Sequence, residues 1–232
     1  MRRGSLSYRR FCLEAELLRL RSHEVARMQT VGKDECVATW EWRHGRRQHL
    51  EGDSYLVSTG NVRQDYIAKS FDGMMDIDKL DSGDIDKLLQ SEDVDDVQTT
   101  VVHCQGDKIP LFEFHILYHT IFQTPVLYFR AHSIDGTPLN LDAFTQSVHL
   151  PGFIDLSRLV AMEGHPILGE PFTFLHPCET AAVMQLLQAQ PKFKFGCIGK
   201  DSLVQNVPHY LASWLSLVQP LTGISPMDYY SI

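Results

Sequence analysis

Between Phe112 and Gln123 every second residue, Phe112, Phe114, Ile116, Tyr118, Thr120 and Phe122, is apolar or threonine. The alternate set includes Glu113, His115, His119 and Gln123. A period of two marks a strand with one face toward a core. The pattern predicts a long half-buried strand, a turn at Gln123-Thr124-Pro125 and a return strand over Val126 to His132. A second turn at Asp135-Gly136-Thr137-Pro138 completes an antiparallel hairpin, and Val97 to Cys104 is expected to pair on its other side.

From Ser7 to Gln29, Phe11, Ala15, Leu18, Val25 and Met28 recur at three, four and seven, with Leu17 alongside, which predicts an amphipathic helix with a solvated Arg-rich face. Ala38 to Arg43 alternates like a strand, and Tyr55 to Ser58 is a second, weaker strand candidate. Asp142 to Val148 reads as a short helix, Leu150 to Gly169 as a long Pro- and Gly-bearing loop, and Phe172 to Leu175 as a short extended run. Strong helix formers fill Glu179 to Gln190 up to Pro191. In Val207 to Val218, Leu211, Trp214, Leu215 and Val218 share one helical face. This order predicts an α+β fold, a central antiparallel sheet of about four or more strands with flanking helices.

Composition narrows the function. The 232 residues carry 21 Lys and Arg against 29 Asp and Glu, a formal charge of −8, which argues against nucleic acid as a partner. Ten acids and two lysines between Asp72 and Asp96 account for the whole excess. That segment fits no calcium loop, because a loop opening at Asp76 places Leu80 and Asp81 where a ligand and the turn glycine belong. It reads as an acidic, mobile insertion at about 72–96 in one domain spanning 1–232. No apolar run approaches the roughly 20 residues of a membrane-spanning helix. Five cysteines, Cys12, Cys36, Cys104, Cys178 and Cys197, at irregular spacing read as reduced thiols of a cytosolic or nuclear compartment, and a cytoplasmic location is expected. Arg2, Arg3, Arg9 and Arg10 give the start the composition of a transit peptide, although Glu14 and Glu16 follow at once.

His115 and His119, four apart, suit one metal only on a helix; on a strand they stand about 13 Å apart at about 3.3 Å per residue. No nucleotide-binding loop occurs, so no cofactor and no metal is expected. Cys178 is the candidate nucleophile. It sits between an extended run and a helix, with His176 two residues before it and Pro177 between, and both a helix N-terminus and a nearby imidazole favour the thiolate. The alternative is a small buried hydrophobe.

His165-Pro166-Ile167-Leu168-Gly169-Glu170-Pro171-Phe172 followed by Leu175-His176-Pro177-Cys178 resembles the active-site segment of the autophagy-related protein ten family. Three further blocks match in order: Trp40 to Arg43, Pro125 to Ala131 with Asp135 to Leu139, and Tyr210 to Val218. The resemblance runs from about residue 8 to 230. A sister family, autophagy-related protein three, shares His-Pro-Cys and resembles Ala181 to Met184, but it is usually longer. The resemblance implies a ubiquitin-conjugating-enzyme-like core and two acyl transfers. Cys178 would take a ubiquitin-like modifier, autophagy-related protein twelve, from an activating enzyme, autophagy-related protein seven. A lysine of the acceptor, autophagy-related protein five, would then attack the thioester.

Ordinary ubiquitin-conjugating enzymes carry an oxyanion-stabilising Asn in His-Pro-Asn, whereas here His165-Pro166 is followed by Ile167. Asn140 is the candidate replacement, with a helix cap as its other reading. His176 is a candidate to tune Cys178 or deprotonate the lysine, or else to shape the loop. A papain-like cysteine hydrolase with His209 and Asn206 is the rival class, disfavoured because both lie only about 30 residues downstream. A non-catalytic module that keeps the fold is the third reading. An exposed strand edge in the first half could add a strand to a partner's sheet.

Overall fold

The computed structural model describes residues 4–29, 37–47, 49–63, 110–148, 159–189 and 210–229. Among them the elements run α1 (Tyr8–Gln29), β1 (Glu41–His44), β2 (Ser54–Val62), β3 (Leu111–His119), β4 (Thr124–His132), α2 (Asp142–Ser147), β5 (Val160–Gly164) and β6 (Pro171–Leu175). After a 3-10 turn at Pro177–Glu179 come α3 (Thr180–Ala189), α4 (Tyr210–Leu217) and the short α5 (Gln219–Thr222). The six strands form one sheet in the order β1-β2-β3-β4-β6-β5, with all neighbours antiparallel. This is the α+β architecture expected, a central antiparallel sheet with flanking helices.

The alternation in β3 works as read. Phe112, Phe114, Ile116 and Tyr118 all point into the main core, against Phe11, Ala15 and Leu18 of α1 and Trp214 and Leu215 of α4. Glu14, 4 % exposed, ties the two helices together. Its Oε2 accepts the Leu211 N–H at 2.6 Å near the start of α4, and its Oε1 accepts from Arg10 at 3.0 Å. A carboxylate from one helix thus satisfies an N-terminal amide that the other cannot pair internally. Burial pushes the Glu14 carboxyl above its usual value.

Three expectations need correction. The main strand stops at His119, and Thr120 to Gln123 form the turn, because the ladder sets His119 opposite Thr124. Gln123 takes a positive φ of 55° to reverse the chain. The strand is buried on both faces, since Tyr55, Val57, Leu117, Val126, Tyr128, Phe172 and Phe174 make a second cluster capped by Ile167 from the β5–β6 connection. The expected pairing of Val97 to Cys104 with the hairpin lies outside the described residues; among those, β2 pairs with β3. The long loop contains β5, an edge strand whose last four residues are exposed and show no alternation for a sequence reader to find.

On α1 the buried face continues through Ser22, not Met28, which is 70 % exposed. Ser22 earns burial by accepting the Trp40 N–H at 3.1 Å and donating to the Arg19 carbonyl at 2.9 Å. Leu6 and Phe11, on either side of the exposed Arg9, are fully buried in the core. The acidic segment 72–96 lies outside the described residues. β1 forms one edge of the sheet, with Glu41, Arg43 and His44 exposed. No helix among the described residues is long and apolar enough to cross a membrane.

Candidate active site

β6 leaves the sheet at Leu175, and the His176 N–H donates to the Leu159 carbonyl at 2.7 Å. His176 is extended, with φ −62° and ψ 128°, as a residue before proline tends to be. Pro177 fills the first position of the 3-10 turn, where a missing N–H costs nothing. Cys178 follows as an exposed free thiol, and α3 begins two residues later. The sequence placed the helix directly after this cysteine; the structure sets Cys178 inside the tight turn, and the helix starts at Thr180.

His176 caps that turn. Its Nδ1 accepts the Cys178 backbone N–H at 3.1 Å. An imidazole that accepts at Nδ1 carries its proton on Nε2 when neutral, so this arrangement holds the backbone and leaves no free basic nitrogen. Phe122 from the β3–β4 turn and Phe174 of β6 meet the ring edge to face, at centroid distances of 5.4 and 5.8 Å. Sequence reasoning missed Phe122 and its neighbour His119, because their approach depends on β4 pairing with β6 and on where the hairpin reverses. Burial, with His176 adding to it against Glu163, lowers the His119 imidazole below its ordinary value.

Asn140 is elsewhere. Its Oδ1 accepts the Asp142 N–H at 2.8 Å at the start of α2, and its neighbour Leu139 bonds to Ala131 near the far end of β4. Leu175 pairs with Leu127, so the chain toward Cys178 runs to the opposite end of that strand. By register the two lie five or six residues apart along β4, roughly 15–20 Å. The structure therefore does not bring Asn140 to the thiol, nor is Asn140 the helix cap of its other reading: the N-cap position of α2 is Leu141, without a side-chain capping bond, and the Asn140 bond is a local turn just before the helix. His209 and Asn206 lie outside the described residues.

Behind the site the two other histidines that matter are joined. The His165 Nδ1 accepts the N–H groups of Ile167 at 3.3 Å and Leu168 at 3.2 Å. Its Nε2 proton therefore donates to the His115 Nδ1 at 3.0 Å, and the His115 Nε2 proton donates to Glu113 at 2.8 Å. Both rings are 1 % exposed and each carries one proton in this pattern. Burial, followed by His115 and Arg130, pushes His165 down to about 4. Burial raises Glu113, but hydrogen bonds from His115 and Arg130 outweigh it and hold the carboxyl at about 2. Arg130 also reaches Glu170 at 2.6 Å and lies over the Phe172 ring. The His-Pro motif thus anchors the β5–β6 connection to the sheet. Among the described residues no three His, Cys, Asp or Glu side chains converge to hold a metal ion.

Cys178 is thus an exposed thiol presented by a capped turn between a sheet strand and a helix. The chain belongs to the autophagocytosis-associated protein family, whose active-site domain model matches residues 11–229. It is 28 % identical over 240 residues to the human (Homo sapiens) ubiquitin-like-conjugating enzyme ATG10, covering 97 % of this chain and 91 % of that protein. The Arabidopsis thaliana enzyme of the same name is 32 % identical over 143 residues, 60 % of each chain. A crystal structure of the autophagic E2 Atg10 aligns at 12 % identity with a TM-score of 0.42, covering 95 % of this chain and 99 % of that one. The resemblance drawn from the sequence, to autophagy-related protein ten, is the one these relatives bear.

Proposed function

We propose that this chain is a ubiquitin-like-conjugating enzyme of autophagy, working in the cytoplasm in autophagosome formation. The exposed thiol of Cys178, on a backbone capped by His176, in a chain of this family carries the reading. The Cys178 thiolate attacks the thioester carbonyl that joins the C-terminal glycine of autophagy-related protein twelve to the cysteine of autophagy-related protein seven. That cysteine leaves as its thiolate, and the modifier is now on Cys178. A lysine amine of autophagy-related protein five attacks the new thioester, loses a proton to solvent base, and expels the Cys178 thiolate, leaving an isopeptide bond. The shift from sulfur to nitrogen makes the second step favourable, so the protein's task is to present the thioester. The exposure of Cys178 suits that task, because both the incoming thioester and the attacking lysine belong to other proteins.

The experiment mixes the chain with activating enzyme, modifier and ATP and resolves the products on a non-reducing gel. The expected product is an adduct that thiol reductant removes and that Cys178→Ala never forms, while Cys178→Ser traps a reductant-stable ester. No adduct with partners that charge each other overturns the reading. An adduct that persists in Cys178→Ala moves the nucleophile elsewhere.

A further inference from the structure

We propose that the β3–β4 turn is the positioning element of Cys178, acting through Phe122, which holds the His176 ring where it caps the cysteine's backbone. This rests on the thioester reading of Cys178. The turn has two adjacent apolar residues with opposite fates. Ile121 is 76 % exposed, whereas Phe122 folds back against the site. The Phe122 ring meets His119 at 4.9 Å and 67° and His176 at 5.4 Å and 79°, the edge-to-face geometry aromatic pairs prefer.

The turn is itself fixed at both ends. The Phe122 N–H donates to the His119 Nδ1 at 3.3 Å, and the Gln123 carbonyl accepts the Leu6 N–H at 2.8 Å. His176, by contrast, is exposed and has a broad torsion about its ring bond. What limits that rotation is Phe122 on one side and Phe174 on the other. Without Phe122 the ring swings, the 3.1 Å bond to the Cys178 N–H opens, and the thiol loses its fixed direction.

The test compares the full chain with Phe122→Ala and Phe122→Tyr. Single-turnover loading of modifier from the charged activating enzyme is followed over a range of charged-enzyme concentrations. Phe122→Ala is expected to lower the maximal rate on the order of tenfold at unchanged half-saturation, as small misplacements of reacting groups do. Phe122→Tyr, which keeps the ring, is expected to stay within about twofold. Hydrogen exchange of the Cys178 amide, read by NMR with no partner present, is expected to quicken on the order of tenfold in Phe122→Ala.

Unchanged rate and exchange in Phe122→Ala overturn the proposal, and so does a loss of rate that Phe122→Tyr fails to restore. If Phe122→Ala does not fold, Phe122→Leu supplies bulk without a ring and is expected to show the same loss; wild-type behaviour there also overturns it. If the unaltered chain never loads, the thioester reading fails by itself. Amide exchange then decides alone whether the turn positions the cap.

Discussion

The His176 imidazole holds the Cys178 backbone rather than its thiol, with Nδ1 accepting the cysteine N–H at 3.1 Å. Asparagine places its side-chain oxygen where the histidine places Nδ1 and is a strong capping residue. His176→Asn is therefore expected to keep thioester loading and lysine discharge close to wild type. His176→Ala removes the acceptor, lowers stability by about 1 kcal/mol and slows both steps. Loading rates, discharge rates and melting temperatures for the two variants check this. Discharge as slow in Asn as in Ala would mean that the imidazole takes part in the chemistry itself.

The Glu113–His115–His165 chain makes stability depend on pH. In the unfolded chain His165 titrates near its ordinary 6.5, whereas the fold holds it at about 4. Between those values the unfolded state binds a proton that the folded state refuses, so stability is complete above pH 6.5 and falls as pH drops toward 4. The loss is on the order of 3 kcal/mol. Glu113, held at about 2, gives its contribution above pH 4.5 and loses it as pH falls through the range from 4.5 to 2. Urea midpoints measured from pH 7 to 4.5 leave Glu113 out but include His119, also lowered, and Glu14, raised, so the share of His165 is read from its variant. His165→Asn is expected to be less stable at pH 7 but to show a flatter slope; an equal slope would assign the pH dependence to another group.

What the sequence made legible was whatever repeats or clusters locally. Phe112, Phe114, Ile116 and Tyr118 announce their face because a strand buries every second residue, and His176-Pro177-Cys178 announces a stiffened turn after an extended run. Val160 to Gly164 announces nothing, since it becomes a strand only through the free edge that β6 offers. His165 reads as a loop residue beside proline, yet is buried because β3 places His115 beneath it. Asn140 was a candidate by its residue type and its place just past the hairpin turn. The register of β4 with β6 sends Cys178 to the other end of the sheet. Phe122 was assigned to the strand, and its meeting with His176 follows from a turn placed earlier than the Pro125 signal suggested.

Gly4 fastens the start of the chain over the active-site helix. It takes φ +80°, and an added Cβ would fall 1.9 Å from the Ala181 carbonyl oxygen, three residues past Cys178. Its carbonyl accepts the Tyr210 hydroxyl at 2.7 Å, so Gly4 cannot retreat freely. Gly4→Ala combines a left-handed backbone with a collision against main chain, and is expected to cost about 1–3 kcal/mol by thermal or urea unfolding. Wild-type stability would mean that this segment detaches from α3 in solution at little cost.

The acidic segment at 72–96 is expected to be dispensable for the chemistry, and the reason lies in the strands that flank it. Val62 at the end of β2 is the ladder partner of Leu111 at the start of β3, so the intervening chain departs from and returns to neighbouring points on the sheet. Shortening it changes loop closure only slowly with length and leaves every β2–β3 pair in place. Arg63 must stay, because it donates to the carbonyls of Pro220 at 2.8 Å and Leu221 at 2.6 Å and holds the C-terminal helices to the sheet. Replacing 72–96 by a short Gly-Ser linker removes ten acids and two lysines. The folded chain should then load modifier on Cys178 at the full-length rate, with stability within about 1 kcal/mol. If loading falls while unfolding is unchanged, the segment recruits the activating enzyme by charge, and the loss should then shrink as salt is raised, because screening weakens the full-length chain's advantage. A loss of stability would instead make these residues part of the fold.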